Sequence, residues 1–272
     1  LKRKLLMIGV IILVIGISVN IVNNGNKVYE NDLENVDKLM VDADITNILF
    51  VEGDDSLNLK YTSAKYSFWN PKIHIAYNDN QAVIEVKSVP NKWMYLVPGS
   101  NRRGDLIVSI PPNLVNQIVL TTKNGNINVK NIRKGKSLSL HSNAGNIYVD
   151  SYQGEKLEIK GKVGSINLGS IDAAVDISNQ AGNLNSLILT NIKGKNNIKL
   201  SNGKVALTLP ASIDMSKLGL NIYTKNGKIN AVSNRFLQEK IMKNGPGEKM
   251  TNNSAAENEL NISVSVGSIN IK

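Results

Sequence analysis

The sequence predicts an all-β protein: a single-stranded β-solenoid with a Gly-cornered repeat of about 20 residues, preceded by one N-terminal transmembrane helix. Three observations predict it. Seven short segments align on a glycine at positions 125, 145, 164, 182, 203, 227 and 267. Ile, Leu, Val, Asn and Gly recur in short alternating runs while aromatics make up only 5% of the chain, which is strand chemistry. An uncharged apolar stretch opens the sequence right after three cations.

That opening divides the chain. Lys2, Arg3 and Lys4 fall in a cytoplasmic flank, residues 1–4, and residues 5–22 (LLMIGVIILVIGISVNIV) hold no charge. At ~1.5 Å per residue a helix of this length spans roughly 27 Å, a bilayer's hydrocarbon thickness. A cleaved signal peptide also begins with cations and an apolar run, but NIVNNGN at 20–26 offers no small-x-small site. There is no Cys, so lipoprotein processing is excluded, as are disulfides and thiolate metal sites. Cations ahead of the span stay cytoplasmic and place the rest of the chain outside the cell membrane as a single-pass protein. Of the formal +10 charge, the exported part keeps 29 basic and 22 acidic residues, or +7. An anionic lipid surface or a wall polyanion is then the expected partner, and nucleic acid is not.

Residues 23–35, rich in Asn, read as a polar tether, and 36–272 as the extracytoplasmic domain. Its first part, to Pro111, is β-rich but irregular, and reads as longer rungs or an accompanying sheet. The regular array follows. Two residues after each glycine stands Ile127, Ile147, Ile166, Leu184, Val205, Ile229 or Ile269. Five before it stands Leu120, Leu140, Ile159, Ile177, Ile198, Ile222 or Ile262, and seven before it an aliphatic residue except at Asn196. Polar residues between them mark a wet face, including Asn126, Asn146 and Asn183 directly after the glycine.

Columns that keep their character from unit to unit favour a solenoid, in which equivalent positions stack about 4.8 Å apart, over an up-and-down sandwich. The glycine spacings of 20, 19, 18, 21, 24 and 40 break only near the end. Residues at about 232–259 are expected to leave the array as an excursion or cap, with a helix-compatible RFLQEKIMK at 235–243. The final GSINIK then closes the core as a short edge guarded by Lys272.

No set of residues announces catalysis. His74 and His141 lack a His or Cys partner at metal-ligand spacing, and there is no G-x-S-x-G elbow, P-loop or dinucleotide fingerprint. Glu158 and Asp176 share a column on neighbouring units, where they would form an acid pair or hold Ca²⁺. Lys160 and Lys162 on the same strand favour a solvated, neutralised patch instead. Asp42, Asp44, Asp54 and Asp55 are too loosely spaced for a calcium loop. No cofactor is expected.

Two features point to binding. Tyr61, Tyr66, Phe68, Trp69, Tyr77, Trp93 and Tyr95 fall in one 35-residue stretch, where they either stack on sugars or a membrane surface or cover the open solenoid end. Lysines spread along the array, among them Lys123, Lys160 and Lys162, offer a polyanion-facing surface or scattered solubilising charge. The candidate ligand-binding residues are therefore Trp69, Trp93, Tyr95, Lys123, Lys160 and Lys162.

The run LIVSIPPNLVNQIVLTTKNGNINV, the GNI, GSI and GKI units and the terminal GSINI resemble the LiaG-like putative adhesin family. That resemblance implies right-handed coiling, a cell-surface location, adhesin-like binding or scaffolding and a link to envelope stress, and it supplies no catalytic residue. A solenoid enzyme acting on acidic polysaccharide, and an envelope protein partnering a membrane stress-sensing system, are the alternative expectations.

Overall fold

The computed structural model describes residues 18–22, 26–31, 36–53, 57–62, 72–78, 80–87, 104–111, 115–233, 236, 239–252 and 256–272. These form strands almost throughout, all in one hydrogen-bonded network. Each repeat is a longer strand before its corner and a shorter one after it, and equivalent strands of successive repeats pair in parallel. Leu120, Leu140, Ile159 and Ile177 lie side by side in one sheet, and Ile127, Ile147 and Ile166 in the other. The chain is a β-solenoid, and the aliphatic columns are its interior: every residue five before and two after a corner glycine is 4% exposed or less.

Stacking explains the corner glycines. A Cβ on Gly145 would stand 1.8 Å from the carbonyl oxygen of Gly125, and one on Gly164 2.0 Å from that of Gly145. Gly145 also has φ +154° and Gly164 +144°, values side chains disfavour. Gly125 has no such φ, so there the close approach to Thr46 is the whole reason.

Two further rungs precede the Gly125 rung. Lys38–Ala43 pairs in parallel with Gln117–Asn124, and Ile48 lies beside Ile127, so residues 38–52 form a rung cornered on Thr46. Gln81–Lys87 and Gly104–Ile110 pair in parallel with its two strands and make another rung, cornered on Gly104, whose halves are separated by residues 88–103. The irregular part before Pro111 is thus continuous with the array.

Sequence order and spatial order differ at both ends. The Thr46 rung lies between the Gly104 and Gly125 rungs although it precedes both. At the other end Asn258–Val266 pairs on one side with Lys195–Asn202 and on the other with Leu218–Asn226. Ile269–Ile271 likewise lies between Val205–Leu207 and Ile229–Ala231. The expectation that the last unit forms the edge is therefore corrected: the C-terminal rung is internal, and the Gly227 rung is the terminal one. The reason is that the chain overshoots one slot and then returns to fill it.

The segment between those two rungs covers the exposed end. Ile241–Asn244, expected to be helix-compatible, is a strand paired with Gly247–Thr251, which pairs antiparallel with Leu218–Asn226. Glu248 Oε2 accepts from the Ile229 amide at 2.6 Å and Asn252 Oδ1 from the Leu220 amide at 2.6 Å, so edge donors are met by side chains. At the opposite end Leu57–Thr62 pairs antiparallel with Gly104–Ile110, and Lys72–Asn78 with Gln81–Lys87. Asn26–Asn31, placed by sequence in a tether, is a strand on Leu57–Thr62, and Ser18–Val22, placed in the membrane span, pairs with it. Residues 5–17 of the expected span lie outside the described residues, among which no helix is long and apolar enough to cross a membrane.

The interior contains a few polar groups, most of them hydrogen-bonded. The column directly after the corner is exposed at Lys204 and Lys228, as a wet face should be, and its half-buried Asn members also form a ladder. Asn47, Asn126 and Asn146 each pass a side-chain oxygen to the backbone amide of the next rung, at 2.9, 2.8 and 2.8 Å, and Asn183 does the same to Lys204 at 2.9 Å. Three residues before the corner, Thr122, Ser142 and Thr224 donate inward to the corner carbonyls of Thr46, Gly125 and Gly267.

Asn196, the one polar member of an aliphatic column, is fully buried. Its oxygen accepts from the Val175 amide at 3.1 Å, and its nitrogen donates to the carbonyls of Lys193, Gly194 and Glu259. It thereby replaces the ladder where the chain turns through Gly194 at φ +53°. Asn196→Leu restores the aliphatic column yet is expected to lower the urea midpoint, because an orphaned buried amide costs about 1–3 kcal/mol and three carbonyls lose a donor. An unchanged or raised midpoint would show that packing outweighs the amide.

Candidate functional site

The outer face of the long-strand sheet presents two polar columns, six and four residues before each corner, because alternate residues of a strand face opposite ways. Ser139, Glu158, Asp176, Asn197, Asn261 and Asn221 form the first, in that spatial order. His141, Lys160, Ser178, Lys199, Ser263 and Tyr223 form the second.

In the middle of the array this face is self-neutralised. Glu158 and Asp176 are neighbours as the spacing indicated, but Glu158 is bonded to Lys160 and lies 3.9 Å from Lys156. The Lys160 hydrogen bond holds the Glu158 carboxyl below its ordinary pKa, and Glu158 in turn raises that of Lys160. A glycosidase acid needs the opposite shift. Half-buried His141 beside them has its pKa lowered by burial first and by Lys160 second. Among the described residues no group of three or more His, Cys, Asp or Glu could hold a metal ion.

The six candidate residues are not brought together. Lys123 is paired with Asp44 at 2.5 Å, Lys160 with Glu158, and Lys162 is exposed without a side-chain partner among the described residues. Trp69, Trp93 and Tyr95 lie outside the described residues. Tyr61, from the same aromatic stretch, is 6% exposed, and burial raises its pKa, which places it in the core. Other lysines of the array are likewise spent, Lys130 on Asp150 at 2.6 Å and Lys193 on Asp172 at 2.8 Å.

A concave site occurs where sequence reasoning did not look. Toward the capped end the face changes from charged to amide-rich, and a groove of about 470 Å³ runs across the Gly203, Gly267 and Gly227 rungs. Its floor is Asn197, Asn261 and Asn221 in one row and Lys199, Ser263 and Tyr223 in the next. Asn244 and Lys249, from the capping hairpin, form a wall. Among the described residues no carboxylate lines it, and Glu259 Oε2 accepts from the floor residue Asn261 at 3.2 Å. The site is a shallow, solvent-open groove and not an enclosed pocket. A polar column alone did not reveal it, since the floor joins residues 197, 221 and 261 only through the inserted last rung.

The family described as Toastrack DUF4097 matches residues 112–272, more than half of the chain. The chain belongs to that family. The Toastrack match covers the rungs from Gly125 onward, the last rung and its cap included. No curated protein matches the chain. Among solved structures, a "putative cell adhesion protein" from Clostridium sporogenes is 18% identical, with 91% of this chain and 98% of that one covered and a TM-score of 0.34. A "putative adhesin" from Bacteroides fragilis is 12% identical over 91% and 97%, with a TM-score of 0.43. A "putative lipid binding protein" from Parabacteroides distasonis is 12% identical over 92% and 98%, with a TM-score of 0.40.

Proposed function

We propose that this Toastrack protein is a non-catalytic, adhesin-like binder or scaffold of the cell envelope, held at the membrane by the apolar run that follows Lys4 and ends before the Ser18–Val22 strand, with its solenoid outside. The observation that carries the reading is the outer face. Its Glu158 is bonded to Lys160 and held below its ordinary pKa, the wrong direction for a catalytic acid, while the groove beside it offers amides, an aromatic ring and cations, which bind more readily than they react. The uncharged run after Lys2, Arg3 and Lys4 supports the anchor. Right-handed coiling, the narrower LiaG-like kinship and its link to envelope stress belong to the same reading, and the handedness agrees with the preference of parallel crossovers.

The test is retention of the detergent-solubilised full chain on isolated cell-wall polymer and on anionic liposomes over a salt series. Retention at low salt that declines as ions screen the +7 surface is expected. No retention on either, or retention indifferent to salt, refutes the polyanion-binding form of the proposal.

A further inference from the structure

We infer that the groove over the last three rungs is a binding site for an acidic glycan, a sugar chain bearing carboxylates; this rests on the envelope-binding reading above. Three features of the groove define the ligand class.

The first is the amide row. Asn197, Asn261 and Asn221 are in register on adjacent parallel strands, so their side chains repeat at the ~4.8 Å strand spacing, close to the length of one pyranose ring. Each amide carries both a donor and an acceptor, as a pair of sugar hydroxyls requires. The Asn261 nitrogen is used on Asn197 Oδ1 at 3.3 Å and Glu259 at 3.2 Å, which leaves the Asn197 nitrogen and the Asn261 oxygen for a ligand. Neither Asn221 nor Asn244 has a side-chain partner among the described residues.

The second is Tyr223. It is half-buried in the same floor, two residues beyond Asn221, and offers a ring face of the kind on which pyranoses stack. The third is charge. Lys199 and Lys249 line the groove and neither forms an ion pair among the described residues; the carboxylate bonded to the floor, that of Glu259 on Asn261, lies 3.5 Å from Lys195. Lys123, Lys130, Lys160 and Lys193 elsewhere on the array are by contrast neutralised by acids of this chain. Unspent cations beside an amide row and a ring select a ligand that is polyhydroxylated and anionic at once.

Titration calorimetry on the full chain in neutral detergent distinguishes the parts. The probes are tetragalacturonic acid, its methyl ester and poly(glycerol phosphate); the variants are Tyr223→Ala, Lys199→Gln with Lys249→Gln, and, as an off-groove control, Lys130→Gln, whose lysine is already paired with Asp150. Tetragalacturonic acid is expected to bind, and both groove variants to weaken it by about tenfold or more, the effect of one lost stacking or charge-assisted contact. Lys130→Gln should leave binding unchanged, and the circular-dichroism melting curve of the Lys199→Gln, Lys249→Gln variant should match that of the unaltered chain, because neither substitution removes packing. Methylation should weaken binding similarly. Absent binding, equal binding by the Lys variant, equal binding of the ester, or equal binding of poly(glycerol phosphate) would each overturn the acidic-glycan site. If the Lys variant is retained on wall polymer as well as the unaltered chain, the groove fails while envelope binding stands. If the unaltered chain is not retained, it is the envelope reading that fails.

Discussion

Removing residues 258–272 is expected to abolish cooperative unfolding at the C-terminal end and not merely to shorten the array. Leu260, Ile262, Val264, Ile269 and Ile271 are each 1% exposed or less and sit between two other rungs. At about 1.5–3 kcal/mol per buried aliphatic side chain, their loss is of the order of a whole domain's stability, ~5–15 kcal/mol. A terminal rung would expose one new edge when removed. This one leaves an empty slot with two unpaired edges facing it, and it detaches the Gly227 rung and the hairpin that covers it.

Native-state hydrogen exchange reads the outcome directly. Loss of protection over 218–251, together with a lowered melting temperature and association through the open Lys195–Asn202 edge, is the expected result. The opposing outcome is specific: if the Gly227 rung closes directly onto the Gly203 rung, 218–251 stays protected and the transition merely shifts. That would show the inserted rung to be dispensable to the end of the solenoid.

The same slot explains why part of the fold was legible and part was not. The aliphatic columns and corner glycines reported parallel stacking because a solenoid imposes the same burial and the same close carbonyl approach at every rung. They could not report order. Ile229 and Ile269 are interchangeable as neighbours of Val205, so the pattern is silent about which one sits there; only the glycine spacings of 24 and 40 marked that something intervened. The Thr46 rung escaped notice because its corner has an ordinary φ and tolerates a side chain, and the Gly104 rung because residues 88–103 split it. Asn47 was the available signal, since it begins the amide ladder that Asn126 and Asn146 continue. The groove had no linear signal, because its floor is assembled from three rungs out of sequence order.

Substituting a corner glycine separates stacking from backbone preference. Gly145→Ala and Gly194→Ala both place a side chain at positive φ, +154° and +53°. Around Gly194 nothing lies within 4 Å of the added Cβ, so the cost is the backbone penalty alone, about 1 kcal/mol. At Gly145 the Cβ would stand 1.8 Å from the Gly125 carbonyl oxygen and 2.5 Å from its carbon. Both are backbone and cannot swing aside, so the rungs must part. Parting them strains the bonds that cross between these two rungs, from the Gly125 amide to the Ala144 carbonyl at 3.0 Å and from the Ile127 amide to the Asn146 carbonyl at 2.9 Å, and it separates Leu140 from Leu120 in the core. The expected cost is about 4 kcal/mol or more, in the range reached only when packing itself is broken. Urea denaturation of the two variants side by side measures the difference, and equal midpoints would mean that the corners are glycine for their φ and not for the stack.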